Sequence, residues 1–155
     1  MTESKGTKTA IIKELNECLK YLSNEDLIIR SVYRIGQLIT DNKQFFDDLQ
    51  VSKILIQLIK LLEDHNRDGQ TNSAISCNIG DIIAGTEQLD GQILFDAITQ
   101  LLLLLDRDVL HAPLYALKKI ISWNTSLTPL VVHELCIKLL DVNQFSCGDS
   151  IDINQ

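Results

Sequence analysis

The stretch NIGDIIAGTEQ, Asn78 to Gln88, reads as the end of an apolar helix, a glycine stop and a polar restart. Whether it is a lone helix end or one copy of a repeated unit decides the fold. Three segments share its pattern of small and large apolar residues: SVYRIGQLITDN (31–42), ISCNIGDIIAGT (75–86) and PLYALKKIISWN (113–124). With Gln37, Asp81 and Lys119 in register, the copies lie 44 and 38 residues apart. Each is followed by an apolar segment that ends in leucines: ILIQLIKLL, AITQLLLLL and VVHELCIKLL. Those ends, Leu62, Leu105 and Leu140, are 43 and 35 residues apart, and Leu22 sits 40 before the first.

Helical periodicity runs through almost the whole chain. Ile11, Leu15, Leu19 and Leu22 form one stripe, and Ile28, Val32, Ile35 and Ile39 form the next. The spacing predicts helices over 8–22, 26–40, 51–63, 70–84, 94–105, 109–123 and 129–140. Short helical pieces are expected at 44–49 and 88–93. Thr128 before Pro129 is a helix start, with a capping side chain and then a proline at the first helical position. Gly85 is a helix stop and Gly80 a point of close helix packing. The segment EDHNRDGQTN (63–72) reads as a lengthened turn that makes the period uneven. A period of about 40 residues built from two or three helices marks an armadillo/HEAT-like α-solenoid. The expected fold is therefore all-α, a right-handed superhelix of about three repeats. A generic bundle of leucine-rich helices is the competing architecture.

At 155 residues the chain suits one domain. Apolar residues make up 45% but aromatic ones only 5%, so Leu and Ile must fill the core. The net charge of −7 would repel a nucleic-acid backbone. Its distribution is uneven: residues 1–62 hold nine basic and eight acidic side chains, 63–108 hold two and nine, and 109–155 hold three and four. The N-terminus, MTESKGTKTA, lacks the pattern of a secretory signal, and no apolar run reaches the ~18 residues of a membrane helix. Cys18, Cys77, Cys136 and Cys147 are widely spaced without a CxxC pair and read as reduced thiols, which fits the cytoplasm or nucleus.

Residues for chemistry are sparse. His65, His111 and His133 stand apart, and His133-Glu134 lacks the second histidine of HExxH, so neither a metal nor another cofactor is expected. The sequence contains no GxSxG and no GxxxxGK[ST]. Asp47 and Asp48 are adjacent on a short helix and splay apart. The DRD at 106–108 reads as a turn with a helix cap. An enzyme is not expected.

The segments SAISCNIGDIIAGTEQ (73–88) and LYALKKIISWN (114–124) resemble armadillo repeats of the importin-α (karyopherin-α) family, which run roughly A-W-A-L-x-N-I-A-x-G. The likeness spans roughly residues 8–141. It implies a non-catalytic adapter that binds a partner segment along the concave helices, as a nuclear import adapter does. In that family a tryptophan and an asparagine four residues later project from each concave helix. Here the tryptophan positions hold Tyr33, Cys77 and Tyr115, and the asparagine positions hold Gln37, Asp81 and Lys119. Gln37 alone stands in closely for asparagine, and Lys119 opposes a basic ligand. The basic N-terminal arm of the family is not reproduced by Lys5 and Lys8.

Equivalent helices of a solenoid stack into one continuous wall. On it the spacing places Arg30, Tyr33, Arg34 and Gln37, then Asn78 and Asp81, then Tyr115, Lys119, Ser122 and Trp123. Trp123 reads equally as a packing residue between repeats, and Arg30 and Arg34 as a solvated helix face. The expected arrangement is a repeat domain at 8–141 between flexible ends at 1–7 and 142–155. The acidic middle repeat favours a basic or mixed-charge protein segment as partner. The alternatives are a structural subunit of a larger complex and an armadillo-type co-chaperone. Charges at Lys13, Glu14, Glu17 and Lys20 suit a polar cap for the first repeat.

Overall fold

A computed structural model describes residues 2–64, 67–105 and 111–124, and singly Pro129, His133 and Ile137. Among the described residues six α-helices pack against one another and no strand occurs. They are α1 (Thr2–Lys20), α2 (Ile28–Asp41), α3 (Asp48–Glu63), α4 (Gly69–Ala84), α5 (Gly91–Leu104) and α6 (His111–Trp123). Single 3-10 turns, Tyr21–Ser23 and Lys43–Phe45, follow α1 and α2. The predicted helix at 129–140, its Thr128 cap, the DRD turn and the tail after 142 lie outside the described residues, apart from those three single positions.

Local chemistry sets the helix starts. Before α2, the Asn24 side chain accepts hydrogen bonds from the backbone N–H groups of Asp26 and Leu27. At α3 a reciprocal capping box forms: Asp47 accepts from the Gln50 N–H at 2.8 Å, and the Gln50 side chain accepts from the Asp47 N–H at 2.9 Å. This cap starts the helix at Asp48, three residues ahead of the sequence expectation. Asp68 accepts from the Thr71 N–H and Asp90 from the Gln92 N–H. The Thr71 N–H holds the Asp68 carboxyl below the usual carboxylate range. These caps draw 69 into α4 and 91 into α5, so the turn before α4 is shorter than expected and no separate helix forms at 88–93. At the other end of the chain, α1 extends from Thr2 where the sequence suggested a flexible segment.

The stripe of α2 enters the core whole, with Ile28, Val32, Ile35 and Ile39 all buried, whereas of the first stripe Leu15 and Leu22 are buried and Ile11 and Leu19 only half-buried. Leu55, Leu58 and Leu62 are buried on α3. Ile75, Ile79, Ile82 and Ile83 of α4 join Leu101 and Leu104 of α5 and Leu117 and Ile120 of α6 in the same cluster. Helix α4 packs against α2, α3 and α6; α3 also meets α5, α5 meets α6, and α1 meets α2.

Two glycines set how closely these helices approach. A methyl group at Gly80 would lie 2.7 Å from Cα and 2.9 Å from Cβ of Ala116 on α6. A methyl at Gly36 would collide with the Asn78 side chain on α4. The two contacts follow one register: Gly36 and Gly80 are 44 residues apart, and the residues they meet, Asn78 and Ala116, are 38 apart. Gly85, with ordinary right-handed backbone, ends α4 and donates its N–H to the last carbonyls of the helix.

Gly80→Ala should destabilise the fold by about 1–3 kcal/mol, because the overpacking at Ala116 outweighs the gain in helix propensity. Gly6→Ala, in α1 with nothing near the added methyl, should instead stabilise by about 0.5–1 kcal/mol. Urea denaturation of the two variants beside the parent chain measures both signs.

Candidate functional site

Helices α2, α4 and α6 each present one narrow exposed strip, because their other sides are taken by the core and by each other. On α2 the strip carries Arg30, Tyr33, Arg34, Gln37 and Asp41; on α4 it carries Cys77 and Asp81; on α6, Tyr115, Lys118, Lys119 and Ser122. Tyr33 is 52% exposed and Tyr115 41%. They hold the same position when the three similar sequence segments are aligned, Tyr33 on α2 and Tyr115 on α6.

At one end of the strip, Arg34 reaches α1. Its guanidinium donates to both carboxylate oxygens of Glu14, from Nη2 to Oε1 at 2.9 Å and from Nε to Oε2, while Nη1 donates to Gln37 Oε1 at 3.0 Å. The fork geometry of arginine permits this three-way hold. The hydrogen bond from Arg34 keeps the Glu14 carboxyl below its ordinary range. At the other end, Asp81 is the hub. Tyr115 donates its hydroxyl to Asp81 Oδ1 at 2.7 Å, and Lys119 Nζ lies 3.8 Å from the same oxygen. Lys119 also sits 5.6 Å from the centre of the Tyr115 ring, in cation–π range. The bond to Asp81, helped by partial burial, pushes the Tyr115 phenol up to about 12.

Two residues expected on this wall are placed elsewhere. Asn78 is 5% exposed; its amide donates to the Ala74 carbonyl at 2.8 Å and its side chain packs against Gly36. The missing side chain at Gly36 draws α2 and α4 together and closes over Asn78, an effect no single-helix pattern registers. Trp123 is half-buried against the core, and its indole N–H donates to the Thr86 carbonyl, so it ties α6 to the end of α4. Glu14 was not among the expected site residues, since its partner Arg34 lies 20 positions away on another helix. Cys77 also belongs to the strip. Burial, with Asp81 adding to it, pushes its thiol up and keeps it protonated, the reverse of an activated nucleophile.

Away from the strip, a cleft of about 350 Å³ opens between the ends of α2 and α4 and the start of α3, with Thr40, Lys43, Phe46 and Glu87 in its walls. No group of three or more His, Cys, Asp or Glu among the described residues has the arrangement of a metal site. No described helix is long and apolar enough to cross a membrane. His111 and His133 are exposed on helical segments.

A phenol raised in the folded state makes stability fall with pH. Below the ordinary value of 10.0 the folded and unfolded chains both keep the proton and the Tyr115–Asp81 bond contributes fully. Between 10.0 and about 12 the unfolded chain releases it first, so that contribution is lost as pH rises. Absorbance titration of the three tyrosines should show one late phase, and in Asp81→Asn that phase should move back toward the ordinary phenol range.

No protein family, no curated protein and no solved structure matches this chain.

Proposed function

We propose that this chain is a non-enzymatic protein-recognition module of the cytoplasm or nucleus. It is an armadillo-like solenoid of about three repeats that holds an extended partner segment along α2, α4 and α6. The observation that carries this reading is the pair of exposed tyrosines, Tyr33 and Tyr115, at equivalent positions of stacked helices. Exposed aromatic rings with fixed backbones are the side chains that most often dominate binding energy. The glycine contacts that recur in the repeat register support the solenoid, since equivalent helices then meet their neighbours in the same way.

The strip's charges favour a mixed-charge partner. Arg30, Arg34, Lys118 and Lys119 stand beside Glu14, Asp41 and Asp81, and four of these seven are already paired within the chain. A lysine-rich import signal would have to displace Lys119 from Asp81, which sets the import-adapter version at a disadvantage. The exposed apolar side chains of α3 and α5 favour a second reading, that of a structural subunit.

Selection of peptides from a random display library against the full chain tests the recognition reading. Selected peptides should bind in the micromolar range, and Tyr33→Ala or Tyr115→Ala should each weaken them by about tenfold or more. Peptides that bind with full affinity to both variants would move the site elsewhere. A labelled lysine-rich peptide, followed by fluorescence anisotropy, should bind weakly and lose its affinity with salt. Tight, salt-resistant binding that fails in Asp81→Lys would restore the import-adapter version.

A further inference from the structure

Helices α3 and α5 neighbour one another, and each leaves large apolar side chains in water. Leu49 is 65% exposed and Ile56 41% on α3; Phe95 is 59% and Leu103 37% on α5. On each helix they lie at near-helical repeats, 49 with 56 and 95 with 103, so each pair shares one outward arc. Scattered single apolar residues on a surface are ordinary, but two large ones exposed on each of two adjacent helices are not.

The charges on this surface divide by helix. The arc of α3 carries Lys53 and Lys60, neither of which has an ion-pair partner among the described residues. Helix α5 contains no Lys or Arg, and its arc carries Asp96, which accepts from the amide of Gln92 and has no ion-pair partner among the described residues. In the leucine register, Leu62 and Leu105 lie 43 residues apart, and so do Lys53 and Asp96. The same offset carries Ile56 to 99, one turn from both Phe95 and Leu103, and carries Lys60 onto Leu103. One helix thus bears the complement of the other at equivalent positions.

We propose that two copies of this chain pair face to face across the α3/α5 surface. The two-fold axis runs along the seam between the helices, so that α3 of each copy covers α5 of the other. Lys53 meets Asp96 of the second copy twice over, Ile56 inserts between Phe95 and Leu103 of the second copy, and the stem of Lys60 covers Leu103 of the second copy. A patch whose two halves complement each other is what a two-fold interface requires. A foreign partner needs only one half to fit it. Apolar side chains would supply the attraction, and the Lys53–Asp96 pairs would fix the register by opposing any arrangement that sets α3 on α3. This interface shares the repeat register with the recognition reading but uses different helices, so each can fail without the other.

Sedimentation equilibrium of the full chain over a range of concentrations tests the proposal. The mass should rise from 17.5 kDa to twice that value. Ile56→Asp and Phe95→Asp should each weaken dimerisation by about tenfold or more, with helical circular dichroism unchanged because both sites are exposed. Lys53→Glu should also weaken it, and adding Asp96→Lys to that variant should restore the dimer, an outcome that mere loss of solubility cannot imitate. Tyr33→Ala and Tyr115→Ala should leave the dimer as it is. A chain that stays monomeric at about 100 μM, where even a weak specific pair would form, would overturn the proposal. So would a dimer indifferent to Ile56→Asp and Phe95→Asp, or a charge reversal that Asp96→Lys does not rescue.

Discussion

The close approach of α4 to its neighbours is the contact on which the rest of the structure depends. Gly36 and Gly80 remove a methyl group at the two crossings where α2 meets α4 and α4 meets α6. With the backbones that near, isoleucines of α4 reach into the shared core, and Asn78 is sealed between helices with its amide satisfied by Ala74. A buried amide without such a partner would cost about 1–3 kcal/mol. The same crossings bring Asp81 within reach of Tyr115 and Lys119 on the next helix. Glycine is ordinarily a weak helix residue, and its use twice at one register position shows packing overriding propensity.

The exposed strip over these crossings is largely self-satisfied. Arg34 is held by Glu14 and Gln37, and Asp81 by Tyr115 and Lys119, so the strip presents aromatic surface between neutralised charges. Such pairs are worth little to stability where they remain in water. Their larger effect is on selectivity, because an incoming charged segment must exchange partners before it gains a new one. The outer arcs of α3 and α5 differ: there Lys53 and Lys60 are unpaired among the described residues and the apolar side chains stand in solvent. The two surfaces therefore suit different kinds of contact.

Much of the helical architecture is legible in the sequence. The apolar stripe on α2, the buried leucine ends at Leu62 and Leu105 and the packing role of Gly80 follow from helical spacing and residue size. Helix starts were less legible, because Asp47 with Gln50, and Asp68 and Asp90 with the backbone ahead of them, act at short range on segments whose apolar pattern is weak. The candidate site was legible in part. Tyr33, Gln37, Asp81, Tyr115 and Lys119 are exposed or half-exposed, while Asn78 and Trp123 are taken up by packing and Glu14 arrives from α1.

The sequence by itself determined that the chain would be helical and that leucine and isoleucine would fill its core, because both depend on the spacing of apolar residues along single helices. Only the tertiary structure decided which polar residues stay in water and which pair. That depends on how near two backbones come, and at Gly36 and Gly80 the distance is set by a side chain that is absent on one helix and the residue that fills its place on the next.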